Sequence, residues 1–369
     1  MKYTCAVQFM STALLTCMAV SCTHKSSTNS LTVGAALALT GPQADFGLKV
    51  KQGLDMSAEA INRTSGFQKV QIKYEDTLST PKDGLAAYTK LIDIDGARFV
   101  FGSGSYFANA VGPVADSKDG LFFAVGTSLP RITEGRRHVL RYSYTVDISA
   151  KVVAEYAAKS YKTVAVLAVE EEYGRIATDL FKRIYAGPGR AISYEGTFRV
   201  ADSEVRTIVQ RALATKPEAL FVPGYGPGMV AILRQAREIQ PNIAIIGDVA
   251  LANASIIKAA GQASEGAVVP AMPLDGGVAT DPEAKAFLEA YVKQFGKTPD
   301  MWTTGAYEAL RLLLKAIEST DGSVEAVRRY IIEKQPHPSF AGPVSYTPSG
   351  ESLIPMMLFR VTKGALRPL

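Results

Sequence analysis

A chain of 369 residues, 47% of them hydrophobic, can bury enough apolar surface to build two packed domains. No long basic run accompanies its formal charge of +5; Arg136-Arg137-His138 is the densest cluster and it is short, which argues against a nucleic-acid partner. The three histidines, His24, His138 and His337, lie far apart, so neither a zinc cluster nor a histidine-dependent triad is indicated, and no metal or cofactor is expected.

The N-terminus reads as an export signal over residues 1–21. Lys2 supplies the positive start, an apolar run extends from Ala13-Leu14-Leu15 through Met18-Ala19-Val20, and small residues Ala19 and Ser21 flank the expected cut. The run is too short, and too often interrupted by Gln8, Ser11, Thr12 and Thr16, to span a bilayer. Ala19-Val20-Ser21-Cys22 resembles the lipobox of bacterial lipoproteins, which would make Cys22 a lipidated mature N-terminus and residues 22–30 a polar tether. Cys5 and Cys17 leave with the signal, so no disulfide is expected in the mature body. The expected location is extracytoplasmic, with the membrane reached through the lipid alone.

Short apolar runs then alternate with amphipathic segments. Strands are predicted at Leu31–Leu39, Val70–Tyr74, Arg98–Gly102, Leu121–Val125, Thr163–Val169, Ala219–Pro223, Ile243–Gly247 and Ala267–Ala271, with a last one at Pro355–Val361. Helical spacing runs through Leu54, Ala58 and Ile61, through Leu85, Tyr88 and Ile92, and through Val205, Ile208, Val209 and Ala212. It recurs at Met229, Ile232, Leu233 and Ala236, and at Leu310, Leu313, Leu314 and Ile317. Thr80-Pro81 reads as a helix start, with Thr80 as N-cap. Strand–helix alternation implies parallel sheets covered on both faces, an α/β architecture. The pattern falls into two blocks, 31–140 and 163–271, separated by a featureless crossover at Arg141–Asp147. Two lobes facing across a cleft are expected: 31–144 with 275–345, and 145–274 with 346–369.

In such units ligands sit beyond the carboxyl ends of strands, where helix N-termini offer free N–H groups. In the first block those positions hold Ser103-Gly104-Ser105-Tyr106 and Gly126-Thr127-Ser128, small and hydroxyl-bearing, suited to a carboxylate. In the second they hold Glu170-Glu171-Glu172-Tyr173-Gly174, Gly224-Tyr225-Gly226 and Asp248, suited to an ammonium. The two blocks together would trap a zwitterion.

Over nearly all of 31–369 the chain resembles the leucine/isoleucine/valine-binding protein family, the type I periplasmic substrate-binding proteins of branched-chain amino-acid ABC transporters. Carrying the resemblance are Thr40-Gly41-Pro42 with Phe46-Gly47, Gly53, Ala58 and Ile61-Asn62, then Gly126-Thr127 with Thr133 and Glu172-Tyr173-Gly174. Gly224-Tyr225, Leu233 through Glu238, Ala263-Ser264-Glu265-Gly266, and Trp302-Thr303-Thr304 with Tyr307 complete it. The resemblance implies two Rossmann-like lobes joined by three crossovers, closing on a small solute and delivering it, as a monomer, to a transporter permease. It implies that Ser105 and Thr127 bind the ligand carboxylate, helped by the backbone N–H of Val125 or Thr127, and that Phe46 packs on the ligand side chain. It also implies that Tyr173 and Tyr225 close from the second lobe and that Asp248 meets the ammonium. Asp248 stands where the branched-chain binders carry the longer Glu, and Asp300 where some relatives carry an aromatic residue.

An enzyme is the rival class for such a sheet. Gly102-Ser103-Gly104 opens a dinucleotide-binding pattern, but Phe107 occupies its third glycine position and no acidic residue ends the following strand. No nucleophile elbow or phosphate loop is present either. The expected mechanism is binding without chemistry; the alternatives are recognition of the closed form by a membrane receptor and a non-amino-acid solute, such as an amide, a urea-like compound or an aromatic acid.

Overall fold

The computed structural model describes residues 30–63, 69–127, 131–279 and 281–369. The signal, the lipobox cysteine Cys22 and most of the tether lie outside the described residues, as does Ser128.

The first block runs β1 (Ser30–Leu37), α1 (Ala44–Arg63), β2 (Lys69–Asp76), α2 (Pro81–Asp93), β3 (Phe99–Ser103), α3 (Ser105–Ala115), β4 (Leu121–Val125) and β5 (Val139–Tyr142). These strands make one parallel sheet in the order β2-β1-β3-β4-β5. The second block runs α4 (Val146–Ser160), β6 (Thr163–Val169), α5 (Glu172–Tyr185), β7 (Ala191–Phe198), α6 (Arg206–Ala214), β8 (Ala219–Val222), α7 (Gly226–Ile239), β9 (Ala244–Gly247), α8 (Ala254–Ala260) and β10 (Val268–Ala271). The chain then passes through α9 (Pro282–Phe295), α10 (Met301–Glu318), α11 (Val324–Glu333), a small hairpin β11 (Ser345–Tyr346) and β12 (Ser352–Leu353), and finally β13 (Met357–Thr362) and β14 (Ala365–Pro368). The last two strands join the second sheet antiparallel, giving the order β14-β13-β10-β9-β8-β6-β7. The architecture is the two-lobed α/β arrangement expected from the strand–helix alternation.

The predicted strands appear where their apolar runs lie, with ends shifted by one or two residues. Thr80 caps α2 as expected, accepting from Asp83 N–H at 3.1 Å, with Pro81 in the first turn. Besides the two-residue strands β11 and β12, three strands carry no readable run. In β5 a buried Arg141 interrupts the apolar sequence, so the expected featureless crossover begins inside the strand, over its last two residues. Strand β7 is a sheet edge, exposed along much of its length, and needs no apolar face to pair. Strand β14 is likewise an edge, joined only to β13.

In each sheet the order reverses beside the first strand of its block, β1 in one and β6 in the other, which opens a crevice at the strands' carboxyl ends. The helix after each of these strands starts hard against it. A Cβ at Gly47 would lie 2.0 Å from the carbonyl oxygen of Ala38, and one at Gly174 would lie 2.1 Å from that of Val169. Farther along α1, a Cβ at Gly53 would lie 2.1 Å from the carbonyl oxygen of Thr303, so α1 and α10 touch backbone to backbone. That contact returns α10 to the first sheet's core, where Leu310 and Leu313 pack with Leu54, Val33 and Phe101.

The hairpin also sits on the first sheet. Ser352 Oγ donates to the Ser143 carbonyl at 2.8 Å and accepts from Ser143 N–H at 3.1 Å. Glu351 pairs with the buried Arg141 and accepts from Thr133 Oγ1 at 2.8 Å. Only after Ile354, still in the first core, does the chain reach β13 in the second sheet.

Gly53→Ala is expected to cost about 1–3 kcal/mol, the range for forcing extra atoms into a packed contact, because the obstructing atom is backbone and cannot rotate away. Urea unfolding would show it as a lower midpoint at unchanged slope; an unchanged midpoint would mean that α1 and α10 can separate freely.

Candidate functional site

Between the two sheets' carboxyl ends lies a cleft of about 640 Å³. From the first block it is lined by Ala38, Gln43, Asp45, Phe46, Ser103, Gly104 and Gly126, and from the returning helix by Trp302. Tyr144 contributes from the first crossover. From the second block come Glu171, Glu172, Tyr173, Tyr225 and Gly226, with Val249, Ala250 and Asn253 beyond β9. Five rings and three carboxylates therefore face this space, and among the described residues no lysine or arginine lines it.

The first-block side is built from backbone turns. Ser103 ends β3, and Gly104, at φ +94°, turns the chain into α3. Gly126, at φ +65°, ends the β4 turn; a Cβ there would lie 2.4 Å from the Trp302 ring. Ser105 is the first residue of α3, directly after Gly104. Thr127 is buried, and its hydroxyl has no hydrogen-bond partner among the described residues. Val125 is not part of the cleft lining: it is paired with β3 and β5 on either side and its side chain lies in the first core. Phe46 stands in the first turn of α1 against Trp302, ring centroids 4.9 Å apart and tilted 49°.

On the second-block side, Tyr173 and Tyr225 sit 6.1 Å apart at the starts of α5 and α7. Each hydroxyl donates to a carboxylate. Tyr225 bonds to the exposed Glu171, and Tyr173 donates to Asp248 Oδ2 at 2.9 Å. Burial and these carboxylates push both phenols above their ordinary pKa, so each keeps its proton.

Asp248 departs from the expected direct contact with a ligand ammonium. It is 3% exposed and lies behind Tyr173 rather than in the cleft lining. Its carboxylate accepts from Gly224 N–H at 2.8 Å and Ala250 N–H at 2.9 Å as well as from Tyr173. The short Asp side chain reaches its own loop backbone; the acidic groups that do line the cleft are Asp45, Glu171 and Glu172. The sequence gives no sign of Tyr144 as a lining residue, and it places Glu171 in a cleft-edge loop without singling it out. Glu171 was one of three consecutive glutamates with nothing to distinguish it, and Tyr144 stood in a segment without periodicity. Among the described residues no group of three or more His, Cys, Asp or Glu is arranged to hold a metal ion.

Residues 30–365 match the family model described as periplasmic binding protein. The chain belongs to the periplasmic binding protein family. Its relatives include the Leu/Ile/Val-binding protein BraC3 of Rhizobium johnstonii, 27% identical over 87% of this chain and 88% of that one. The fold is shared with two solved structures. One is the branched-chain amino acid transporter substrate-binding protein LivJ of Streptococcus pneumoniae, in complex with isoleucine, at TM-score 0.80, 17% identity, and coverage of 92% of this chain and 98% of that one. The other is an ABC transporter solute-binding protein of Rhodopseudomonas palustris, in complex with 3,4-dihydroxybenzoic acid, at TM-score 0.80, 23% identity, and coverage of 92% and 96%. Family membership agrees with the resemblance drawn from the sequence motifs.

Burial pushes the carboxyl of Asp248 up to about 7, against the pull of its Tyr173 and backbone hydrogen bonds. A folded-state pKa above the ordinary 3.8 means that protonation favours the fold. That contribution is complete below about pH 4 and is lost as pH rises through about 7. The stability of the wild type relative to Asp248→Asn is therefore expected to decline between pH 5 and pH 8 in thermal melts. A rise over the same interval would mean that the three donors hold Asp248 ionised.

Proposed function

We propose that this protein is the extracytoplasmic solute-binding component of an ABC transporter and that its ligand is an α-amino acid with an apolar side chain. The observation that carries the reading is the division of the cleft into unlike halves. The first lobe offers Ser103 and glycine turns whose backbone a carboxylate can approach; Thr127 follows Gly126 directly, but it is buried and is not part of the cleft lining. The second offers two tyrosines held by carboxylates, Glu171 among them, which suit an ammonium. Phe46 and Trp302 supply an apolar wall between the two. Ser105 joins the carboxylate side through its place after Gly104. Val125 supports that side through its strand, and Asp248 acts through Tyr173.

Capture begins on the first lobe, and contacts from Tyr173 and Tyr225 favour the closed arrangement by their differential affinity for it. The lobes are taken as 31–144 with 275–354 and 145–274 with 355–369; the hairpin's bonds to Ser143 and Arg141 support a third crossing after Ile354, later than the 346 expected from the sequence. The closed protein then docks, as a monomer, on its permease. The names of the relatives support the amino-acid class. Lipidation at Cys22 would hold the protein at the membrane surface, an expectation resting on the lipobox resemblance.

Titration calorimetry with L-leucine, L-alanine and benzoate tests the ligand class. L-leucine is expected to bind and benzoate not to. Glu171→Gln should weaken leucine binding by about 1.5–3 kcal/mol, the value of a hydrogen bond to a charged group. Benzoate binding without amino-acid binding would replace the zwitterion reading with an aromatic-acid one.

Cys22→Ala is expected to release the protein from the membrane fraction or leave it uncleaved, since stable anchoring needs more than one acyl chain on the native cysteine. Native protein recovered wholly in the soluble extracytoplasmic fraction would leave a plain secreted binder.

A further inference from the structure

Lys49 is an unusual occupant of its position. It lies on α1 with its side chain 10% exposed, where a core-facing helix ordinarily carries an apolar residue. Its ammonium is 2.7 Å from Asp45, one turn earlier on the same helix, and 3.3 Å from Asp300, which begins α10. The same nitrogen stands 5.6 Å from the centroid of Phe46 and 5.2 Å from that of Trp302. Both rings line the cleft, whereas Lys49 does not.

Asp300 makes this cluster more than a local ion pair. Its Oδ1 caps α10, accepting from Thr303 N–H at 3.1 Å, while its Oδ2 pairs with Lys49. The first turn of α10, which bears Trp302, is thereby tied to the first turn of α1, which bears Phe46. Burial alone would lower the Lys49 pKa, but Asp300 and Asp45 together raise it, so the ammonium stays charged beneath the rings. A buried cation between two carboxylates and under two aromatic faces is held from both helices at once.

We propose that Lys49 is a positioning residue that sets the spacing and tilt of the Phe46–Trp302 wall and so determines which ligand side chains the cleft accepts. This rests on the amino-acid reading above for its consequence, though not for its geometry. A wall fixed in this way favours a side chain long enough to lie against both rings. A methyl side chain would gain little from it.

The test uses Lys49→Met, which keeps the apolar stem and removes the charge, with Lys49→Arg as the charge-retaining variant. Asp300→Asn is a second approach, since Asn can still accept from Thr303 N–H while the ion pair is weakened. Trp302 is the only tryptophan, so its emission and its quenching by acrylamide report the wall in ligand-free protein. Lys49→Met and Asp300→Asn should change that emission and quenching and reduce the preference for L-leucine over L-alanine by roughly tenfold. Lys49→Arg should retain most of both. Unchanged Trp302 quenching with an unchanged leucine-to-alanine ratio would overturn the proposal. If wild type binds neither amino acid, the amino-acid reading fails by itself, and the Trp302 signal alone then decides whether Lys49 positions the wall: a shift in Lys49→Met sustains it, and no shift ends it.

Discussion

The backbone contact between α1 and α10 is the constraint on which the site depends. Without a side chain at Gly53, the Thr303 carbonyl comes within 2.1 Å of where a Cβ would stand, and two helices about 250 residues apart in the chain become one packing unit. Everything contributed by the returning segment follows from that approach. Trp302 is carried over the Gly126 turn and alongside Phe46, and Asp300 is carried to Lys49. A cleft wall thus depends on a glycine that never touches the cleft.

The two lobes solve the same geometric problem with opposite chemistry. Each sheet reverses its strand order beside the first strand of its block, and each following helix is seated by a glycine, Gly47 or Gly174, against a strand-end carbonyl. That arrangement brings helix starts and strand ends to a shared crevice. Residue type then separates the halves: Ser103, Gly104 and Gly126 on one side, Tyr173 and Tyr225 with their carboxylates on the other. The scaffold supplies the place, and a few residues at strand ends supply the difference in chemistry.

Buried charge holds the late hairpin on the first sheet. Arg141, with its pKa lowered to about 10 by burial, is paired to Glu351, which also bonds Thr133. This ties the late hairpin to the end of the first sheet. Breaking such a pair by removing one partner leaves an uncompensated buried charge, so its main contribution is to specify one arrangement of the hairpin. Asp248 follows the same logic on a smaller scale, with its carboxylate committed to holding Tyr173 and its own loop.

The sequence alone determined the parallel α/β class and the two blocks, because apolar strands alternating with one-faced helices leave few other ways to bury both surfaces; the family came from the resemblance of its motifs. The sequence also located Tyr173 and Tyr225 at the cleft, since strand-end and helix-start positions are local and readable in order, while Phe46 came from the family resemblance. Edge strands β7 and β14, with little apolar periodicity, and β5, broken by Arg141, were not legible. The tertiary structure decided the surroundings of Asp248, Val125 and Lys49. Whether a carboxylate faces a cleft or its own backbone depends on a methylene and the course of a turn. Whether a lysine is a solvated helix residue or a buried support depends on what a distant helix brings against it. Those outcomes arise from contacts between residues far apart in the chain, which spacing along it does not encode.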